Sequence, residues 1–455
     1  MRYQALMLVV LAHAAPLTAQ QVRIRTTTTA RFIELRPIAR DTSGTFLADS
    51  VRTAAPITED VELSAWGLGV QGLRAHALLR GRGTLGSELL WPRADDHFDM
   101  LQGFVELERS RWRGRLGRQQ RSSGLGLYAF DGLTATARPV QSLRFEVWGG
   151  RGLARGVVEP YGSAAIRDLD PLRPGTGTLL FGASVWVAPR AASSVSATWQ
   201  REILRDRSGL VSERAAFDAQ IALGPHLLVS TSADADLAME AWGKARLAAL
   251  VRLPRRGWLE IEAFRYRPVL DLTTIWGVFS PESHWGAAGT VHWLPRPNLT
   301  LRAGAVLRWD EPEGTTSPFL VLEDRSTQLL AGATLRRGEL SLDGTWRLTT
   351  GYGGAQSAGE AGLTFARDDR WSFGMRGTVF QEEAAFRVAD GTVYGAGIEA
   401  RGPLGPETAL RLDFTRYWHR RQQGTAGADW SQTRGAIVIE HSFGASADRR
   451  GEVRQ

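Results

Sequence analysis

Read in steps of two, the chain sorts repeatedly into one apolar row and one polar or small row. This is the pattern of strands with one face in an apolar medium and one in water. Between residues 297 and 309, Leu299, Leu301, Ala303, Ala305 and Leu307 share one face, with Asn298, Thr300, Arg302, Gly304 and Arg308 on the other; Val306 alone breaks the rule. Residues 338 to 350 set Leu340, Leu342, Trp346 and Leu348 against Ser341, Asp343, Thr345, Arg347 and Thr349. The same alternation opposes Leu143, Phe145 and Val147 to Arg144 and Glu146, and Leu259, Ile261 and Ala263 to Glu260 and Glu262. It also opposes Leu410, Leu412 and Phe414 to Arg411, Asp413 and Thr415. A helix would spread each row over every side.

The connections alternate as well. Short turns marked by Gly or Pro fall at Gln71-Gly72, Ser110, Arg138-Pro139, Pro189-Arg190, Gly224-Pro225, Pro254 to Gly257, Pro295 to Pro297, Arg337-Gly338, Asp368-Asp369 and Gly402 to Pro406. Longer polar stretches lie between them, at residues 38–60, 85–97, 151–177, 267–283, 310–325 and 419–429. The weakest members are the first strand, 26–37, and a short loop near 233–237. About eleven hairpins in series predict an all-β fold, a transmembrane antiparallel up-and-down barrel of about 22 strands, with 18 or 20 if a hairpin is merged. Short turns would face the periplasm and long loops the outside.

Residues 1–20, MRYQALMLVVLAHAAPLTAQ, have Arg2 ahead of an apolar run and small residues near Ala19, the form of a secretory signal. A membrane anchor would need about 20 apolar residues, and His13 and Pro16 interrupt this run. Residues 21–455 are then expected to form one barrel domain, with strands over about 26–443 and a short polar tail at 444–455. Strands start so soon after the signal that no plug domain is expected. Long loops, first among them 38–60 and 151–177, are expected to fold inward and narrow the lumen.

No later stretch is apolar enough for a membrane helix. With no cysteine, stability must come from the sheet. The net charge of +7 is nearly all arginine, since Lys244 is the only lysine, and it is spread along the chain, which argues against a nucleic-acid partner. Many of the 16 tryptophans, including Trp66, Trp112, Trp258, Trp285, Trp293, Trp371 and Trp418, fall near strand ends, where a membrane interface would place them.

The segment Gly117-Arg118-Gln119 followed by Phe130-Asp131-Gly132-Leu133 resembles the paired "GRQ … FDG" hairpin of porins and alginate-export-type channels. The final strand, Gly435 to Phe443, resembles the closing strand of outer-membrane proteins, which ends in an aromatic residue. Here twelve further residues follow Phe443. These resemblances imply a bacterial, Gram-negative outer-membrane barrel that meets outer-membrane lipid, small hydrophilic solutes and the barrel-assembly machinery. They also imply that Arg118 and Asp131 approach each other on neighbouring strands at the external side, fixing register.

Candidate lumen-lining charges are Arg111, Arg113, Arg115, Arg144, Glu146, Glu260, Glu262, Arg302, Asp343, Arg347, Arg376, Arg411 and Asp413. An arginine column would draw anions, but the carboxylates on the same face favour pairing over net anion selectivity. Asp95, Asp96, His97 and Asp99 have oxygen and imidazole donors for a divalent cation, although their spacing fits no EF-hand and a solvated acidic loop is the more usual explanation. No enzyme motif is present and no cofactor is implied. The expected role is passive diffusion of small hydrophilic solutes, anions among them; the alternatives are a closed structural, assembly or adhesion barrel, a rim enzyme, and a soluble β-rich protein.

Overall fold

The computed structural model describes residues 21–35, 52–86, 98–155, 177–190, 192–205, 209–254, 256–267, 283–311, 325–351, 354–367, 370–384, 391–421 and 429–444. Among the described residues there are 22 strands and no helix. They are β1 (Gln21–Leu35), β2 (Arg52–Trp66), β3 (Leu73–Gly86), β4 (Phe98–Glu108), β5 (Trp112–Ser123), β6 (Gly126–Val140), β7 (Leu143–Arg155), β8 (Thr178–Arg190), β9 (Ser193–Leu204), β10 (Leu210–Ala222) and β11 (Leu227–Asp236). There follow β12 (Ala241–Leu253), β13 (Gly257–Tyr266), β14 (Ser283–Arg296), β15 (Leu299–Glu311), β16 (Arg325–Arg337), β17 (Leu340–Gly351), β18 (Gly354–Arg367), β19 (Trp371–Ala384), β20 (Gly391–Pro403), β21 (Thr408–Arg421) and β22 (Trp430–Gly444).

Each strand pairs antiparallel with the next, and β22 returns to β1, with Ile24 opposite Phe443 and Thr28 opposite Ile439. Closure leaves the sheet with no free first or last strand, as backbone that crosses lipid requires. Strands of 10 to 15 residues, tilted as barrel strands are, span roughly 30 Å along the axis, enough to cross a bilayer core.

The two faces of the wall are inverted relative to a water-soluble protein. Leu116, Leu133, Val147, Ile261, Leu342, Met375, Ile398 and Ile437 all point to the outside and are exposed. The opposite row carries the charges: Arg302 lies opposite His292, Asp343 opposite Thr334, and Glu399 opposite Asp413. An apolar outer band around a polar lumen is stable only with lipid as the outer solvent. The chain is therefore an antiparallel transmembrane β-barrel.

Several boundaries differ from the sequence reading. β1 begins at Gln21 and ends at Leu35, rather than running from 26 to 37. Residues 52–60 and 151–155, assigned to long loops, continue β2 and β7. Alternation alone cannot separate a strand end from a polar loop once the chain leaves the apolar band. The connection near 233–237 is a turn at 237–240 after β11. Trp112, Trp285, Trp293 and Trp418 are exposed outside, but Trp66 and Trp258 face inward: Trp66 donates to Gln21 Oε1 at 2.5 Å, and Trp258 stacks on His292 at 4.4 Å. Residues 1–20, 36–51, 156–176 and 445–455 lie outside the described residues, and with them the expected signal sequence, the expected tail and most of both loops expected to fold inward.

Candidate functional site

The wall folds inward along a row of glycines. Gly117, Gly132 and Gly150 stand opposite one another on β5, β6 and β7, all on the inner face. A side chain on Gly117 would fall on the Gly103 carbonyl, and one on Gly132 on the Gly149 carbonyl. Gly117 also has φ of 129°, which side chains with a Cβ rarely adopt. With nothing on its concave side, the sheet creases. The β4–β5 ladder consequently stops at Gly103 opposite Arg118, whereas β5 and β6 stay paired up to Ser123 opposite Gly126.

Beyond the crease the β5–β6 tip leaves the wall and reaches the inner face of β10, although β7 to β9 lie between them in the sheet. The space beside Gly124 is bounded by the Asp218 carboxylate and Ala216. Leu125 packs in a buried cluster with Tyr128, Phe130, Trp148, Leu180 and Ala216. Arg214 of β10 clasps the tip, donating from Nη1 to the Leu125 carbonyl at 3.1 Å and to the Tyr128 hydroxyl at 3.3 Å, while its Nη2 is paired with Asp234. Arg121 holds the hairpin stem: it donates to Glu146 at 2.8 Å and to the Ser184 hydroxyl at 3.1 Å, and lies over the Trp148 ring at 3.4 Å.

Each residue of the "GRQ … FDG" hairpin has a part in this geometry. Gly117 and Gly132 form the crease. Arg118 and Asp131 make a bidentate pair on the outer face, Nε to Oδ1 at 2.8 Å and Nη2 to Oδ2 at 3.0 Å. Gln119 is buried inside, donating to the Gly132 carbonyl at 2.9 Å and accepting from the Thr134 hydroxyl at 2.8 Å. Phe130 is fully buried under the tip.

The remaining inner wall is laced with ion pairs. Arg115 meets Glu106 at 2.7 Å, with Arg113 at 3.9 Å from the same carboxylate; Arg246 meets Glu262 at 2.6 Å, and Arg376 meets Glu360 at 2.9 Å. Arg80 meets Asp60 at 2.5 Å and Arg25 meets Glu440 at 2.7 Å. Glu260 accepts from the Trp258 indole at 2.9 Å and lies 3.9 Å from His292. Among the described residues no carboxylate lies within ion-pair distance of Arg144, Arg302, Arg347, Arg401 or Arg411. Arg144 instead lies over the Trp186 ring at 5.2 Å, Arg302 donates to the Thr345 hydroxyl, and Arg401 and Arg411 face each other across β20 and β21.

Of the candidate charges, Arg113, Arg115, Arg144, Glu146, Glu260, Glu262, Arg302, Asp343, Arg347, Arg376, Arg411 and Asp413 share the face opposite the exposed apolar row. Arg111 lies just before β5, where its carbonyl accepts from the Arg138 amide at 2.7 Å, one pair beyond Trp112 and Ala137. Asp95, Asp96 and His97 lie outside the described residues, and Asp99 is on β4, paired with Arg82 at 2.9 Å. Among the described residues no group of His, Asp or Glu is arranged to hold a metal ion.

Sequence reasoning missed Arg121, Tyr128, Trp148, Arg214 and Asp234. They are brought together by the crease, and only the run of inner-face glycines at 117 and 132 signalled that the wall bends there.

No protein-family model matches the sequence, and no curated protein matches it. Among solved structures, the chain is similar to the outer-membrane protein OpdK of Pseudomonas aeruginosa at 12% identity, covering 92% of this chain and 99% of that one, with a TM-score of 0.41. A BenF-like porin of Pseudomonas fluorescens Pf-5 is 10% identical, with 94% and 100% covered and a TM-score of 0.44. The translocation pore of the P pilus usher PapC is 7% identical, with 93% and 100% covered and a TM-score of 0.45.

Proposed function

We propose that the chain is a passive channel for small hydrophilic solutes across the outer membrane, without catalytic chemistry. The observation that supports this reading is a charged inner wall into which a hairpin tip is drawn and clasped to β10 through Arg214. Ion pairs such as Arg115–Glu106 and Arg376–Glu360 keep the wall wetted and rigid. The arginines without a carboxylate partner among the described residues, Arg144, Arg302, Arg347, Arg401 and Arg411, support a mild preference for anions, tempered by Asp343, Glu399 and Asp413 on the same face. Residues 1–20 serve export, and the closing strand with Phe443 serves the assembly machinery.

The test is single-channel conductance of the refolded protein in a planar bilayer, with the reversal potential taken under a potassium chloride gradient. Stable steps with a chloride-biased reversal are expected. A folded, inserted barrel that conducts nothing would overturn the channel reading in favour of a closed structural barrel.

A further inference from the structure

The crease that brings the hairpin into the lumen also opens the wall it leaves. Above Gly103 and Arg118 the sheet has a seam: Phe98 to Gln102 of β4 have no ladder partner on β5 among the described residues, and Gln119 to Ser123 of β5 have none on β4. β5 is displaced inward at this level, because Gln102, from the inner face of β4, bonds to Gln120, from the outer face of β5, at 3.2 Å. Arg118 Nη1 takes up the Met100 carbonyl at 2.9 Å at the base of the seam. The displacement is held in place by the Leu125 cluster and the Arg214 clasp, so the seam is part of the fold.

The chemistry changes across the seam. On the membrane side Phe98 and Met100 present exposed apolar side chains. On the lumen side the neighbours are polar, with Gln119, Arg121 and the Arg82–Asp99 pair. A molecule lying across it would keep a polar head among hydrogen-bonding groups and an apolar chain against lipid. A wide-open edge facing lipid would leave backbone groups unsatisfied at several kcal/mol each, so the opening is expected to be narrow and side-chain-lined, as the Gln102–Gln120 bridge makes it.

We propose that this seam is a lateral portal through which elongated amphipathic molecules, an apolar chain with one polar head, pass between the lumen and the outer membrane. The proposal rests on the channel reading, since the head reaches the seam through the lumen. The chain has no cysteine, so Gln102→Cys/Gln120→Cys supplies its only thiols, which a short bis-maleimide can bridge. The protein is expressed in Gram-negative cells, and uptake of externally added 11-(dansylamino)undecanoate is followed by fluorescence. Heat-modifiable gel mobility confirms folding.

Expression should raise uptake several-fold over cells without the protein, and cross-linking should return it to that background while single-channel conductance changes by less than twofold. Met100→Trp, which places a larger ring on an exposed seam position, should reduce uptake at least threefold without a cross-linker. Uptake that is not raised by expression, or that is unchanged by both closures, would overturn the portal and leave the channel intact; loss of ionic conductance in the unmodified protein would overturn the channel itself.

Discussion

Arg214 and Tyr128 are 86 residues apart in sequence and 3.3 Å apart in space, with the guanidinium of β10 donating to the phenol at the β5–β6 tip. The same guanidinium holds the Leu125 carbonyl and Asp234, so one side chain fixes the tip of a hairpin to a distant strand. The geometry suits arginine, whose planar fork serves several acceptors at once.

Arg214→Ala is expected to cost about 3 to 5 kcal/mol in unfolding of the refolded protein, because it leaves the buried Asp234 carboxylate without its cation. The freed tip should also raise single-channel conductance and its noise. A quiet channel of unchanged conductance would show that the hairpin does not set the width.

Gly117→Ala should destabilise the barrel by about 1 to 3 kcal/mol, through φ strain and collision with the Gly103 carbonyl. Gly126→Ala provides the comparison: its φ is 109°, but nothing lies within contact of the added carbon. The loss at 117 should exceed that at 126 in denaturant midpoint.

The Arg118–Asp131 pair stands on the outer face, where an unpaired charge is penalised by up to about 2 to 4 kcal/mol, according to its depth in the membrane. Arg118→Ala and Asp131→Ala should each destabilise more than half as much as the double variant. A coupling energy below about 0.5 kcal/mol in the double-mutant cycle would mean that the pair does not fix the hairpin.

Arg401 and Arg411 oppose each other on the inner wall. Replacing both by Gln leaves Glu399 and Asp413 as the local charge and should move the reversal potential under a salt gradient toward potassium. Barrel stability should hold or rise slightly, since like charges directly opposite each other are relieved.

Much of this was legible in the sequence. The Leu299–Leu307 and Leu340–Leu348 rows identified which face meets lipid, because side-chain alternation is a property of the strand itself. The Arg118–Asp131 approach was legible through the resemblance of their hairpin to that of porins. The Arg121–Trp148 and Arg214–Tyr128 contacts had no sequence signal, since neither joins neighbours on one strand or across one turn.

The sequence by itself determined the barrel and its strands, since these follow from local periodicity and from a solvent that is apolar outside and aqueous within. Tertiary structure alone decided that the β5–β6 tip leaves the wall for β10 and that the β4–β5 ladder ends at Gly103. Both depend on three glycines aligning across separate strands at 117, 132 and 150, and that alignment is fixed by register, which no single strand encodes.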